Sequence, residues 1–591
     1  MQRNMRNAEK HETNEVNARP SCDAACDAAR GGVGGSAPGN TPGSAPSSAL
    51  TNALTDRITQ REGCARAPAP AHADDHDDQS AAPLVRAVTE YAARNPRRFH
   101  MPGHKGKGGA ALFLWPDGFL GPDGALSRHV TNVDVTEVEG LDDLHEPEGA
   151  IKEAESLAAQ AYGADRTFFL VNGSTCGLHA AIMATCGPDD EVIVSRDTHV
   201  AVAGGLVLSG ARPVYVVPEV DELFAIPLGP TVEALVEEIR RHPRARAVVL
   251  TSPNYYGVSP DIKTLVAAAH DYGRIAVVDE AHGAHLPFHE ALPPSALEAR
   301  ADVVVSGAHK TLPAMTQASF LHLKGGAVDP ETVRRMLRLV ETTSPSYVLM
   351  ASLDAARRVA AMRGRDLLSG VLTSAAAARE RLSRLPGVQC LDGARLASRG
   401  FVHDPTKLVI SFAGLLHCGV TGVEIARLLR EAHGIWVELA DARNVLAILT
   451  MADSQDDVDR LVSAIEYEVG RVRAGDAACL PGLRNDDRDR AAGRLAPETA
   501  ACDALRHIPP LRMTPRQAAI ARTEWVPVHA ARGRIAADVI VPYPPGIPVL
   551  CPGEEITERI TEFVRAALSQ GGKLRLRGVR NDGSVLVVAD R

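Results

Sequence analysis

The chain has 591 residues, 45% hydrophobic and 23% charged, proportions of a soluble protein of several domains that exclude a peptide-sized or disulfide-stapled scaffold. Its formal net charge of -9 offers no basic field to a phosphate polymer, so nucleic acid is not an expected partner. Ten cysteines without CxxC pairs read as reduced thiols, and neither a leader pattern nor an apolar run near the ~20 residues that span a bilayer is present, so a cytoplasmic protein with no membrane partner is expected.

Residues 1–80, with GGVGGSAPGNTPGSAPSSA and the acidic run Asp74–Asp78, lack the apolar period that would offset their ordering entropy and are predicted to be a disordered tail. His72 and His76 among those aspartates read as a solvated stretch, and no metal is expected. From Pro83, LVRAVTEYAA has helical spacing and MPGHKGKGG (101–109) reads as a loop. Between about 150 and 325 short β-branched runs alternate with amphipathic stretches: TFFLV, EVIVS, PVYVV, AVVLT, IAVVD, DVVVS and SFLHL. That alternation predicts an α/β domain over 81–330, with parallel strands joined by helical crossovers and buried on both faces. Residues 331–474 read as a smaller α+β domain containing KLVISF and NVLAILTM, 475–505 as a linker or long surface loop, and 506–591 as a C-terminal domain with one helix and two last strands.

Three features carry chemistry. Lys310 follows a buried-looking strand and precedes a Thr-Leu-Pro turn, where an amine is costly unless used. Asp279 ends the strand IAVVD, at the edge where open α/β sheets bind ligands. NGSTCG (172–177) opens a helix whose N–H groups, with the hydroxyls of Ser174 and Thr175, suit a phosphate, although the same residues also serve as ordinary helix caps. An amine, a carboxylate and a phosphate cradle together are what pyridoxal 5'-phosphate requires.

MPGHKGKG (101–108), DVTEVEGLDDLHEPEGAI (134–151), LVNGSTCGLHAAIMA (170–184), VVDEAHGAHLPF (277–288), SGAHKTLPAMTQASFLH (306–322) and PYPPGIPVLCPGEEIT (542–557) together resemble the Orn/Lys/Arg decarboxylase family, in its short branch without an N-terminal wing domain. The resemblance runs from about residue 81 to the C-terminus. It implies a large mixed, mostly parallel sheet of the aspartate aminotransferase-like fold, smaller α+β C-terminal domains, and at least a homodimer. It makes Lys310 the lysine that binds the cofactor's aldehyde, Asp279 the partner of the pyridine nitrogen, His199 the residue stacked on the ring and His282 a neighbour of the cofactor. Ser174, Thr175 and His309 would hold the phosphate. The family commonly has Ser-Thr-His-Lys where this chain has Gly307-Ala308-His309-Lys310, which leaves Ser306 as the nearest hydroxyl. The implied reaction is decarboxylation of a basic amino acid in polyamine metabolism, arginine to agmatine by preference, with lysine and ornithine open. Asp142, Asp143, Glu146, Glu148 and Glu554 are candidates to read the substrate's distal charge. An aminotransferase or a non-catalytic paralogue are the competing readings; PYPPGIP and GLDDLH disfavour the first, and Lys310 together with Asp279 the second.

Overall fold

A computed structural model describes residues 78–106, 125–475, 497–543, 545–569 and 575–590. The predicted tail up to residue 77, most of the predicted linker and the end of MPGHKGKGG lie outside the described residues. The rest is built on a seven-stranded sheet of β1 (Arg166–Leu170), β2 (Glu191–Ser195), β3 (Arg212–Val216), β4 (Ala247–Thr251), β5 (Ile275–Glu280), β6 (Val303–Ser306) and β7 (Ser319–Leu323). Its order is β1-β7-β6-β5-β4-β2-β3. The central pairs β3/β2, β2/β4, β4/β5 and β5/β6 are parallel, whereas β7 runs antiparallel to both β6 and β1. Val, Ile, Leu and Phe fill both faces of these strands, which accounts for their continuous apolar runs.

Helices cover the sheet. α1 (Ala150–Tyr162) precedes β1, α2 (Gly173–Thr185) follows it, and α3 (Val200–Ser209) follows β2. α4 (Pro330–Val340) and the 37-residue α5 (Tyr347–Ser383) come after the sheet in sequence. Val333 and Leu337 of α4 pack in the core on one face of this sheet and residues of α5 as far as Leu368 in the core on the other, whereas Val371, Ala375 and Leu382 belong to the next core. The change of core therefore falls inside one continuous helix, beyond the boundary at 330 that the pattern suggested.

That second core lies on a four-stranded antiparallel sheet of β8 (Gln389–Cys390), β9 (Lys407–Ser411), β10 (Leu439–Ala440) and β11 (Asn444–Ile448), in the order β8-β9-β11-β10. α6 (Gly422–His433) and α7 (Gln455–Arg473) pack on it. A third core gathers α8 (Glu558–Leu568) and the pair β12 (Thr523–Pro527) and β15 (Ser584–Val588). Beside it β13 (Val541–Tyr543) pairs with β14 (Arg575–Arg577). Among the described residues no helix is long and apolar enough to cross a membrane.

Candidate active site

Because β1, β2, β5 and β6 share one direction in the large sheet, the residues that follow them meet along one edge. Asp279 is the penultimate residue of β5 and is buried. Its Oδ1 accepts the Ala281 N–H at 3.1 Å, the sole hydrogen bond its carboxylate makes among the described residues, so its second oxygen stays available. Burial raises its carboxyl above the usual range, and the charge of Lys310 opposes that rise.

Lys310 lies in a single helical turn, Ala308–Thr311, after β6. Its Nζ is 3.0 Å from His282 Nε2. Burial lowers the pKa of the amine, Asp279 and Glu438 push it up, and Lys407 pushes it down. With Nε2 accepting from the amine, Nδ1 of His282 carries the ring proton and finds no partner in the described structure. The His282 ring, held neutral by burial first and by Lys310 next, stands edge-on to Tyr255 at 4.9 Å between centroids. Tyr255 in turn donates from its hydroxyl to Glu438 Oε1 at 2.5 Å.

His199 caps α3: its Nδ1 accepts from the Ala201 N–H at 3.2 Å, which leaves the proton on Nε2. Burial, then Lys310 and Arg577, lower its pKa to about 4, so the ring is neutral across the physiological range. Ser174, in the first turn of α2, is buried with its Oγ 3.1 Å from Ser319 Oγ on β7, whereas Thr175 beside it is exposed. His309 Nδ1 donates to the Ala318 carbonyl at 2.9 Å and keeps Nε2 free. A Cβ on Gly307 would stand 2.5 Å from the Ala281 carbonyl oxygen and 3.2 Å from Ser174 Oγ, so the packing of three strand ends admits no side chain where the family commonly has serine.

Ser306 does not fill that gap. It is fully buried and its hydroxyl donates to Glu280 Oε2 at 3.3 Å, away from any phosphate role; Ser319, overlooked in the sequence, is the hydroxyl that meets Ser174. Glu280 also accepts the Ala296 N–H at 2.6 Å, and burial raises its pKa to about 8 from an ordinary 4.5. Between those values the folded chain holds a proton that the unfolded chain has lost, so stability from this group is full below pH 4.5 and declines as pH rises towards 8. Glu280→Gln, which cannot ionise, should flatten that part of the melting-temperature profile; an unchanged slope between pH 5 and 8 would refute the assignment.

The acidic candidates for the distal charge are mostly engaged elsewhere, and the Glu554 reading is corrected. Glu554 is fully buried, both its oxygens meet Arg196, at 2.7 and 2.9 Å, and Oε2 also accepts the Cys551 N–H. Asp142 accepts N–H groups of Glu148, Gly149 and Ile151 at 2.8–2.9 Å and so caps the start of α1. Asp143 closes a turn by accepting the His145 N–H, and Glu146 pairs with Arg338 at 3.0 Å. Glu148 is exposed. The sequence reading missed Glu438, Tyr255 and Ser319; Tyr255 follows the end of β4, where the same strand-end rule applies.

A family model described as Orn/Lys/Arg decarboxylase, major domain, matches residues 82–457, and its C-terminal domain matches 499–574. The chain belongs to the Orn/Lys/Arg decarboxylase family. It is 40% identical over 494 residues to an arginine decarboxylase of Bacillus subtilis, covering 83% of this chain and 95% of that one. An arginine decarboxylase of Halalkalibacterium halodurans is 38% identical over 488 residues, with coverage of 82% and 93%. The fold matches that of lysine decarboxylase A from Pseudomonas aeruginosa with a TM-score of 0.72 at 24% identity, covering 86% of this chain and 80% of that one.

Proposed function

We propose that this member of the family releases CO2 from a basic amino acid, arginine by preference, with pyridoxal 5'-phosphate as cofactor. The observation that carries the reading is the convergence, on one sheet edge, of an amine shifted down by burial and a buried carboxylate with an uncommitted oxygen. The residues present fit the cofactor: Lys310 for its aldehyde, Asp279 for its ring nitrogen, and Ser174, Thr175, His309 and the first N–H groups of α2 for its phosphate. When bound, the cofactor supplies a protonated ring into which the electron pair left by departing CO2 delocalises.

The chain's own contribution is placement and proton control. Burial leaves more of the Lys310 amine neutral and nucleophilic at a given pH. Asp279 would hold a proton on the cofactor's ring nitrogen. His199 and His282, both held neutral, present flat surfaces that add no competing charge beside that proton. Glu438 is the acidic residue we assign to the substrate's distal cation, because its charge acts on Lys310 and its carboxylate accepts the Tyr255 hydroxyl. Assembly into at least a homodimer belongs to the same reading, supported by Phe99 at 94% and Met101 at 64% exposure, apolar side chains that a second copy would cover.

Release of CO2 from arginine, lysine and ornithine at equal concentration tests the proposal. The expected result is a kcat/KM about tenfold or more higher for arginine, since a planar guanidinium makes paired hydrogen bonds that an ammonium cannot. A preference for lysine or ornithine would refute arginine, and no release from any of them would refute decarboxylation.

A further inference from the structure

The pair β13/β14 brings the C-terminal core to the candidate site. Register places Tyr543 opposite Arg575 and Val541 opposite Arg577, so Arg577 and Tyr543 are diagonal neighbours on one face. The Arg577 guanidinium lies over the Tyr543 ring at 4.4 Å from its centroid. Three residues on from Tyr543, Gly546 has φ +93°, and a Cβ there would meet His199 Cδ2 at 3.1 Å and Tyr543 Cε2 at 3.5 Å. The Val200 N–H donates to the Gly546 carbonyl at 3.0 Å, locking this loop onto the start of α3. An unbroken set of contacts thus runs from Arg577 through Tyr543 and Gly546 to His199.

Arg577 is exposed, and among the described residues its guanidinium makes no hydrogen bond and has no carboxylate within ion-pair distance. Three other cations among the described residues are spoken for. Lys310 is taken by the cofactor reading, Lys407 is fully buried against Asp404 at 3.3 Å, and Arg196 is buried against Glu554. A stacked guanidinium held in one place and left without an anion suits a ligand oxygen anion, because its planar fork loses little freedom on binding one.

We propose that Arg577 is a specificity-determining residue that binds the carboxylate of the incoming amino acid, while Glu438 takes the cation at the other end. The inference rests on the decarboxylase reading and deepens it. Glu438 reaches the site through Tyr255 and His282, and Arg577 through Tyr543 and Gly546, so the two charges arrive from different domains on separate aromatic supports. A zwitterion with a cationic side chain needs one anionic and one cationic contact.

The chemistry dictates how the contact shows in kinetics. The carboxylate carries its full charge in the bound substrate and loses it as neutral CO2 forms, so an ion pair to Arg577 is stronger before the transition state than in it. Removing it should raise KM without lowering kcat.

The test uses the cofactor-loaded enzyme, its Arg577→Ala, Arg577→Lys and Glu438→Gln variants, and a matched pair of ligands. Arginine and agmatine share the distal guanidinium and differ by the carboxylate. Arg577→Ala should raise the KM for arginine about tenfold, leave kcat unchanged or higher, and leave the inhibition constant of agmatine within about twofold. Arg577→Lys should recover part of the loss, and Glu438→Gln should weaken both ligands. Titration calorimetry of the two ligands on a Lys310→Ala background, which does not turn arginine over, gives the same contrast. A protein that binds arginine with that contrast yet releases no CO2 would overturn the decarboxylase reading while upholding Arg577. Equal weakening of arginine and agmatine, or no effect on either, would overturn the proposal. So would weaker retention of pyridoxal phosphate with arginine binding intact, which would assign Arg577 to the phosphate.

Discussion

Lys310→Ala should cut CO2 release by about 10⁴-fold or more while the protein folds and melts much as before. The amine contributes little to stability: burial lowers its pKa, and its hydrogen bond is a single one to His282. Removing it relieves a desolvated group and leaves the apolar cores untouched. The rate effect is large because, among the described residues, no other amine is placed to do the same work. Lys407 is the nearest rival, a second buried lysine whose charge acts on Lys310, but its Nζ is bound to Asp404 and Thr406. Although burial alone would raise it, Lys407 and His285 hold the Asp404 carboxyl well below the usual range, so the Lys407 amine is committed to a charged carboxylate. Borohydride reduction of the loaded enzyme followed by peptide mapping separates the two lysines. A label on Lys407, or near-normal activity of Lys310→Ala, would refute the assignment.

Much of this was legible because parallel strands buried on both faces announce themselves as β-branched runs, and the chemistry sits where those runs stop. Asp279, Lys310, His199 and Ser174 all follow or end such strands. The direction of β7 was not recovered from SFLHL itself. A signal did exist: only residues 307–318 separate it from β6, too short a stretch for the crossover helix a parallel strand needs. Glu554 misled because its partner, Arg196, is 358 residues away, and no local pattern records a distant cation. Asp142 was not readable, since it caps α1 from eight residues before Ala150, whereas the capping pattern lies at the residue directly before a helix. Glu438 and Arg577 reach the site only through tertiary contacts with tyrosines on other elements, which spacing along the chain cannot express. The long helix α5 hid the domain boundary for a related reason: its helical period continues unbroken while the partner it packs against changes.

Asp279→Asn should retain the cofactor and lose about 10²–10³-fold in rate, the scale expected when one preorganised electrostatic contact is removed. Asparagine preserves the shape and can still accept the Ala281 N–H, so β5 and its neighbours have no reason to move. What disappears is the negative charge. An amide oxygen can accept from a protonated ring nitrogen but does not favour the proton there, and the electron pair left by CO2 then meets a weaker sink. Stability should hold or rise slightly, since burial opposes the charged carboxylate. A second effect separates this role from a structural one. Asp279 raises the pKa of Lys310, so its loss should lower that pKa further, and the pH midpoint at which the cofactor-free protein takes up pyridoxal phosphate should move down. Pyridoxal phosphate uptake shifted to higher pH, or turnover within a fewfold of the parent protein, would show that Asp279 does not serve the ring nitrogen. A lower midpoint with a strongly reduced rate would tie both effects to one charge at the end of β5.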